Sequence, residues 1–208
     1  LNCGDIAAQL EQDLDLLQSR TSDHPPRQQS MAAVLAASWA LLDSTEQQAM
    51  RRLAVFHDGW SLAGAQEVAG VGLPLLARLM DKSLLEVAKN GRYRLHELVR
   101  QYGLEQLHQD PGEVAAVQQR YANYYTHFLQ ERQPRLADKL AVAELDAEVE
   151  NLKAAWQWLV GAEKRPWLPP FLAALWAYYR RKGWYQEAVG ILGQACQLPD
   201  WPPLQQAQ

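Results

Sequence analysis

Residues 79–107 read LMDKSLLEVAKNGRYRLHELVRQYGLEQL, and this stretch decides the fold. Two runs in which apolar residues alternate with polar or small ones, 84–88 and 92–95, flank the dipeptide Asn90-Gly91. Asn-Gly is the strongest short-range signal of a two-residue type I′ turn, in which both residues take positive φ. Helical periodicity resumes directly after this segment, so the pattern predicts a β-hairpin between two helices. That order is typical of the second half of a winged helix.

Two helices are predicted at the start of this unit. The first spans 30–42, and Ser44 with Gln47 fits a capping box at the start of the second. Their periodicity places one apolar stripe on each helix. The residues expected to be buried are Val34, Leu35, Ser38, Leu41 and Leu42 on the first helix, and Ala49, Met50, Leu53 and Phe56 on the second.

Two more helices are predicted before the hairpin. Ser61 can cap a short helix over 62–69. Pro74 suits the first turn of a helix over 73–82, where its missing N–H removes no hydrogen bond. Leu75, Leu76, Leu79 and Met80 are its expected buried residues. Together with the hairpin and the helix after it, these elements predict a winged-helix domain over 30–110.

Only helix signals follow a turn predicted at residues 110–112. Four helices are expected. The first begins at Glu113, the second spans 137–160, the third runs from Pro169 to a stop at Gly183, and the fourth spans 184–198. The last two resemble a tetratricopeptide repeat (TPR), whose small and aromatic positions would be filled by Tyr179, Gly183, Tyr185, Ala188 and Ala195. The predicted fold class is therefore mainly α: a winged helix with one small β-hairpin, followed by a TPR-like array over 113–208.

The beginning of the chain predicts one further helix over 1–20, joined by a Pro-containing linker over 21–29. There is no initiator Met and no signal-peptide pattern, so we expect an internal piece of a longer protein whose array continues past Gln208.

Composition restricts the function classes. The net charge is −4 at pH 7 and the sequence pI is about 5.7, whereas a DNA-binding winged helix usually shows a basic face. No apolar run approaches the roughly 20 residues that span a bilayer. Two lone cysteines, Cys3 and Cys196, are typical of a reducing compartment, so a cytoplasmic location is expected.

Several short runs, in one order, give the chain a resemblance to a known family. They are Pro26-Arg27-Gln28-Gln29-Ser30, Ser38-Trp39-Ala40-Leu41-Leu42, Arg52-Leu53-Ala54-Val55-Phe56, Asp81-Lys82-Ser83-Leu84-Leu85, Arg92-Tyr93-Arg94-Leu95-His96-Glu97 and Glu150-Asn151-Leu152-Lys153-Ala154-Ala155. In this order they resemble the winged-helix and first-repeat region of the bacterial STAND signal-transduction ATPases, nucleotide-switched regulators related to NB-ARC proteins. The resemblance covers nearly the whole chain.

The resemblance implies a role without catalysis in this segment. Residues 1–20 would be the last helix of the ATPase helical subdomain. The parent protein would bind ADP or ATP with Mg²⁺ in a nucleotide-binding domain upstream, which would be a partner of this segment. No G-x-x-x-x-G-K-[ST] loop occurs in the chain, and no catalytic or metal-ligand spacing occurs either. We therefore expect no enzyme and no cofactor in this segment itself.

His96 is the residue with the sharpest functional interpretation. Leu95-His96-Glu97 stands where the family carries a Met-His-Asp motif, whose histidine reaches the β-phosphate of bound ADP. An imidazole at the start of a helix suits this role, because it can donate to a phosphate oxygen and the helix N-terminus adds partial positive charge. The competing interpretation is a histidine that merely caps or packs the helix. The family has Asp where this chain has Glu97.

Aromatic residues concentrate in the C-terminal half. Most are expected to be core, but some should line a binding face for a protein or a small-molecule inducer, because aromatic anchors dominate recognition surfaces. The candidates are Trp176, Tyr179, Trp184 and Tyr185.

The alternative function is a DNA-binding winged-helix regulator with a helical dimerisation domain. Its candidate DNA contacts would be Arg78, Lys82, Arg92 and Arg94. Few basic residues supply little phosphate affinity, so the sequence argues against direct DNA binding by this segment.

Overall fold

The computed structural model describes residues 34–162 and 166–198. The helix predicted over 1–20, the linker over 21–29 and the chain after Leu198 lie outside the described residues. Packing divides the chain into two units, with the boundary after Gln48. The described part is mainly helical with one two-stranded hairpin, so the predicted fold class is confirmed. No described helix is both long and apolar enough to cross a membrane.

The first unit contains a helix over 34–40, which ends before Leu41. The N–H groups of Leu41 and Leu42 donate to the carbonyls of Ser38 and Trp39, three residues back. Such bonds tighten the last turn, and Leu41 leaves the predicted apolar stripe. Leu42 is buried, but Val34 and Leu41 are 60% and 78% exposed, so their predicted burial is wrong.

The capping box at the next helix lies one residue earlier than predicted. Asp43 Oδ1 accepts from Glu46 N, and Glu46 Oε2 accepts from Asp43 N, both at 2.9 Å. Two carboxylates satisfy two otherwise unpaired amides at the positive end of the helix. Gln47 instead donates its amide to the Trp39 carbonyl at 3.1 Å.

The helices before the hairpin occupy the predicted positions. Helix α1 is Ser44–Leu53, α2 is Leu62–Gly64 and continues as a π-helical turn Ala65–Ala69, and α3 is Leu73–Asp81. Ser61 Oγ accepts from Gly64 N at 3.1 Å, Gly70 ends the π-helical turn at φ 72°, and Pro74 lies in the first turn of α3. Of the predicted buried residues, Ala49, Met50, Leu53, Phe56, Leu76 and Leu79 are core, whereas Leu75 is half-buried and Met80 is exposed.

The hairpin forms, but with a different turn. Strands β1 (Leu85–Val87) and β2 (Tyr93–Leu95) pair Leu85 with Leu95 and Val87 with Tyr93. Ala88 N donates to Arg92 O, and Gly91 N donates to Ala88 O. The loop therefore has three residues, 89–91, and only Gly91 takes positive φ, at 77°. This is a turn followed by a left-handed glycine, rather than a two-residue type I′ turn.

Trp60 extends the hairpin as a third, one-residue strand. Its N–H donates to the Tyr93 carbonyl at 2.8 Å, and its carbonyl accepts from Tyr93 N at 2.9 Å. This bridge ties β2 to the chain between α1 and α2, which is the sheet arrangement of a winged helix. Within the hairpin, the opposed residues Leu85 and Leu95 are both buried, which favours the observed register.

Helix α4 (Glu97–His108) packs closely on Met50 and Ala54, at the end of α1. A Cβ on Gly103 would lie 2.9 Å from Ala54 Cβ and 3.2 Å from the Met50 carbonyl. Helix α5 (Pro111–Arg132) starts at the site where we predicted a terminating turn. Asp110 Oδ1 accepts from Gly112 N and Glu113 N, so residues 110–112 begin this helix.

In the described residues, four α-helices follow α5. A 3₁₀ turn (Gln133–Arg135) leads to α6 (Lys139–Ala147) and α7 (Val149–Gly161), followed by α8 (Leu168–Lys182) and α9 (Tyr185–Cys196). Of these helices, α7 packs on α5 and α8 packs on α9. Gly183 closes α8 at φ 74°, as predicted. The single helix predicted over 137–160 is wrong, because Glu148 interrupts it at φ −111° and ψ 8°. The buried contacts of Glu148 explain this break.

Candidate functional site

His96 is the N-cap of α4. Its backbone is extended, and Nδ1 accepts from Leu98 N at 3.4 Å. A neutral imidazole carries one proton, so a ring that accepts at Nδ1 bears its hydrogen at Nε2. The His96 side chain is exposed. The capping contact therefore leaves Nε2–H as a donor, which unites the two interpretations of His96: a residue that caps the helix can also donate to a ligand.

A cavity of about 330 Å³ adjoins His96. Its walls come from the loop 58–60, from Glu86 and Arg94 of the hairpin, and from the first turn of α4. Arg100 donates to Glu97 at 2.7 and 2.9 Å, and Arg94 pairs with Glu86. Burial raises the pKa of Glu97, but hydrogen bonds from Arg100 outweigh this effect and lower it. Asp58 also lines the cavity, so three carboxylates face two guanidiniums there.

Behind the loop lies a buried polar cluster, which we call the hub: Arg92, Tyr121, Tyr125, Glu148 and Asn151. Glu148 is 3% exposed and accepts from Arg92, from Tyr125 OH at 2.9 Å and from Asn151 Nδ2 at 2.6 Å. Burying a carboxylate is unfavourable unless it is paired and hydrogen-bonded, and these three donors meet that requirement. The hub therefore joins the hairpin, α5 and the start of α7.

Asn151 holds the loop 57–60 by its backbone. Its Oδ1 accepts from His57 N at 2.7 Å and from Tyr121 OH at 2.8 Å. Its Nδ2 donates to the Gly59 carbonyl at 2.9 Å, as well as to Glu148. The side-chain oxygen and both amide hydrogens are thus engaged. This geometry accounts for the asparagine in the run 150–155 that carries the family resemblance.

The loop itself adopts a rare backbone conformation. Asp58 and Gly59 both have positive φ, 53° and 86°. A Cβ on Gly59 would lie 2.6 Å from the Tyr93 carbonyl oxygen. Only glycine permits this approach of the loop to β2.

Arg92 is not available to DNA, which corrects one predicted contact. Its side chain is 14% exposed, pairs with Glu148 and donates from Nη2 to the Gly59 carbonyl at 2.9 Å. Burial alone lowers the pKa of Arg92, but the hydrogen bond and charge of Glu148 outweigh it and raise the pKa. Arg94 is exposed and paired with Glu86. Arg78 and Lys82 are exposed at the C-terminal half of α3.

The predicted partner-binding aromatics do not form one exposed face. Tyr179 is buried, and its ring centroid lies 5.9 Å from that of Trp184. Trp176 and Trp184 are half-buried, and Tyr185 is 62% exposed. Tyr179 therefore supports the array from inside, while Tyr185 presents surface. A partner-binding role for the exposed parts stays a prediction.

Sequence reasoning missed Glu148, Gly59, Tyr121 and Tyr125 as members of a shared polar site. The available signals were Asp58-Gly59, a dipeptide suited to positive φ, and Glu148 three residues before Asn151. Neither signal reveals partners that lie 56 or 92 residues away along the chain.

These features define a class: a winged helix whose β-hairpin is joined by buried polar contacts to an array of helices. No family model matches the chain. A Mycobacterium tuberculosis (strain ATCC 25618 / H37Rv) protein, named "Putative HTH-type transcriptional regulator Rv0890c", is 38% identical over 166 residues, which are 74% of this chain. An uncharacterized protein of the same strain is 40% identical over 108 residues, 47% of this chain and 27% of that protein.

The chain spans only 19% of the length of the regulator. Among solved structures, the chain is similar to a Signal Transduction ATPase with Numerous Domains (STAND) protein with a tetratricopeptide repeat sensor, from Pyrococcus horikoshii. The match has a TM-score of 0.42 and 17% identity, and it covers 86% of this chain and 29% of that one. This likeness is too distant to indicate a shared function.

Proposed function

We propose that this chain is a non-catalytic regulatory segment of a nucleotide-switched signalling ATPase of the transcriptional-regulator type. In this proposal the winged helix gates the ADP or ATP state of an upstream nucleotide-binding domain, and the helical array senses a protein or small-molecule inducer. The observation that carries the proposal is the geometry of His96: a helix N-cap with a free Nε2–H at the edge of a cavity.

The chemistry of His96 fits a phosphate oxygen. The ring is exposed, its donor is free, and it lies at the positive end of α4. A hydrogen bond to a charged group contributes about 1.5–3 kcal/mol, which corresponds to a bias of roughly ten- to hundredfold in a two-state equilibrium. The nucleotide would supply the anion, and His96 would favour the state in which the winged helix faces it.

The test uses His96→Ala in the intact parent protein, with His108→Ala as control. His108 is exposed in the last turn of the same helix, so its loss removes an imidazole without touching the N-cap. We expect His96→Ala to speed ADP release by roughly tenfold or more and to raise basal signalling output, while His108→Ala leaves both unchanged. An unaltered ADP off-rate, combined with a loss of more than about 2 kcal/mol of stability in the 208-residue chain, would make His96 a structural residue.

A second measurement addresses the segment alone. Because the chain has no phosphate-binding loop, calorimetry should detect no ATP or ADP binding tighter than about 10 μM, roughly −7 kcal/mol. Tighter binding would show that the segment carries a nucleotide site of its own.

The second candidate function is sequence-specific DNA binding, which the name of the related mycobacterial regulator suggests. The charge distribution opposes it, since Arg92 and Arg94 are both engaged in ion pairs. Fluorescence anisotropy at physiological salt should show no preferred sequence, and a nanomolar specific site would place this candidate first.

A further inference from the structure

We propose that Asn151 and Glu148, two side chains of the helical array, are positioning residues for the His96 cavity and act through the loop 57–60. The significance of the cavity rests on the proposed function above. The mechanical connection rests on hydrogen bonds and burial alone.

The loop contacts the array on one side and the cavity on the other. Asn151 binds His57 N and the Gly59 carbonyl, and Arg92 donates to the same carbonyl while paired with Glu148. The next residue, Trp60, makes both bridge hydrogen bonds to Tyr93. Residues 58–60 also line the cavity beside His96. A displacement of Asn151 therefore reaches the cavity wall through one short segment.

The loop conformation depends on these contacts. Asp58 and Gly59 have positive φ in succession, a conformation that is unfavourable for a non-glycine residue such as Asp58. Such a conformation persists only where its surroundings over-determine it. The bonds to His57 N and to the Gly59 carbonyl provide that constraint from the array side.

Glu148 connects two helices of the array. It lies at the break between α6 and α7, and its own N–H donates to the Leu145 carbonyl at the end of α6. Any change in the angle between these helices would shift Glu148 and, with it, Arg92, the residue that directly follows the hairpin turn. An inducer that alters the angle between α6 and α7 would thus change the position of the loop, and with it the wall of the His96 cavity.

Amide hydrogen exchange on the 208-residue chain tests this proposal, with Asn151→Ala compared against Gln157→Ala. Gln157 is exposed on the same helix. We expect Asn151→Ala to speed exchange of the Trp60 and Tyr93 amides by about tenfold or more, with less than about threefold change at Leu175 in α8. The ring resonances of His96 should shift, and those of His108 should not. Gln157→Ala should change none of these signals.

Tyr121→Phe provides a milder variant in case Asn151→Ala does not fold. It removes only the hydroxyl that orients the Asn151 carboxamide and should reproduce the same order of effects at smaller size. Equal acceleration at Trp60, Tyr93 and Leu175 would show simple global destabilisation and overturn the proposal, as would unchanged His96 resonances. These outcomes are independent of the ADP off-rate in His96→Ala, so a failure of the proposed function is distinguishable from a failure of this inference.

Discussion

Replacing Gly59 by alanine should disrupt the loop beneath the His96 cavity, and Gly91→Ala provides a matched control. Both glycines have similar positive φ, 86° and 77°. A Cβ at position 59 would lie 2.6 Å from the Tyr93 carbonyl oxygen, whereas a Cβ at position 91 meets no atom within 4 Å. Both variants therefore share the backbone strain, and only Gly59→Ala adds a collision.

The magnitude follows from these two terms. An alanine in the left-handed region is unfavourable by about 1–2 kcal/mol. At position 59 the Tyr93 carbonyl must also retreat, which lengthens its 2.8 Å hydrogen bond with Trp60 N and loses about 1 kcal/mol or more. The loop cannot move away freely, because Arg92 and Asn151 hold the Gly59 carbonyl. We expect losses of about 3 kcal/mol for Gly59→Ala and about 1 kcal/mol for Gly91→Ala.

Urea unfolding of the 208-residue chain, followed by circular dichroism, measures both values from the shift in midpoint at constant m. Nuclear magnetic resonance of the folded Gly59→Ala variant should show the largest shifts at Trp60 and Tyr93. If the two variants lose the same stability within about 0.5 kcal/mol, the approach of the loop to β2 is not tight, and the reasoning that connects the loop to the cavity wall is wrong.

Three further predictions follow from matched pairs and from titration. Arg92→Ala should lower stability by about 3 kcal/mol because it leaves buried Glu148 without its cation. Arg94→Ala should change stability by less than about 0.5 kcal/mol, because the pair of Arg94 with Glu86 is exposed. Equal losses in urea unfolding would contradict the burial of the Arg92–Glu148 pair. Gly103→Ala should destabilise the folded chain by about 1–3 kcal/mol because the new Cβ meets Ala54. Gly190→Ala, whose Cβ would lie in open space on α9, should stabilise the folded chain by up to about 1 kcal/mol. Thermal unfolding measures both changes, and a stabilising Gly103→Ala would refute the close contact between α4 and α1. Burial, followed by the charge of Glu148, raises the pKa of Tyr121 and Tyr125, so the folded chain keeps protons that the unfolded chain releases, and stability should fall as the pH rises above about 10. Tyr121→Phe should flatten that fall in unfolding curves recorded at several alkaline pH values, and an unchanged slope would show that Tyr121 ionises as easily in the folded chain.

The sequence by itself determined the features whose hydrogen bonds close within a few residues. The cap at Ser61, the start of α3 at Pro74 and the stop at Gly183 each depend on a side chain or a φ preference at the position concerned. The hairpin over 84–95 was predictable for the same reason, since alternation and a glycine turn are local patterns.

Only the tertiary structure decided the turn type, the helix break and the hub. The burial of the opposed residues Leu85 and Leu95 favours a register that leaves three residues in the loop. The helix predicted over 137–160 is interrupted at Glu148. Helical periodicity continues through this residue, so the sequence pattern predicts no break there. The role of Glu148 depends on Arg92 and Tyr125, and that of Asn151 depends on Gly59, all distant in the chain. Local propensity contains no information about such partners, because a buried polar group is stabilised by whatever the fold brings within hydrogen-bonding distance.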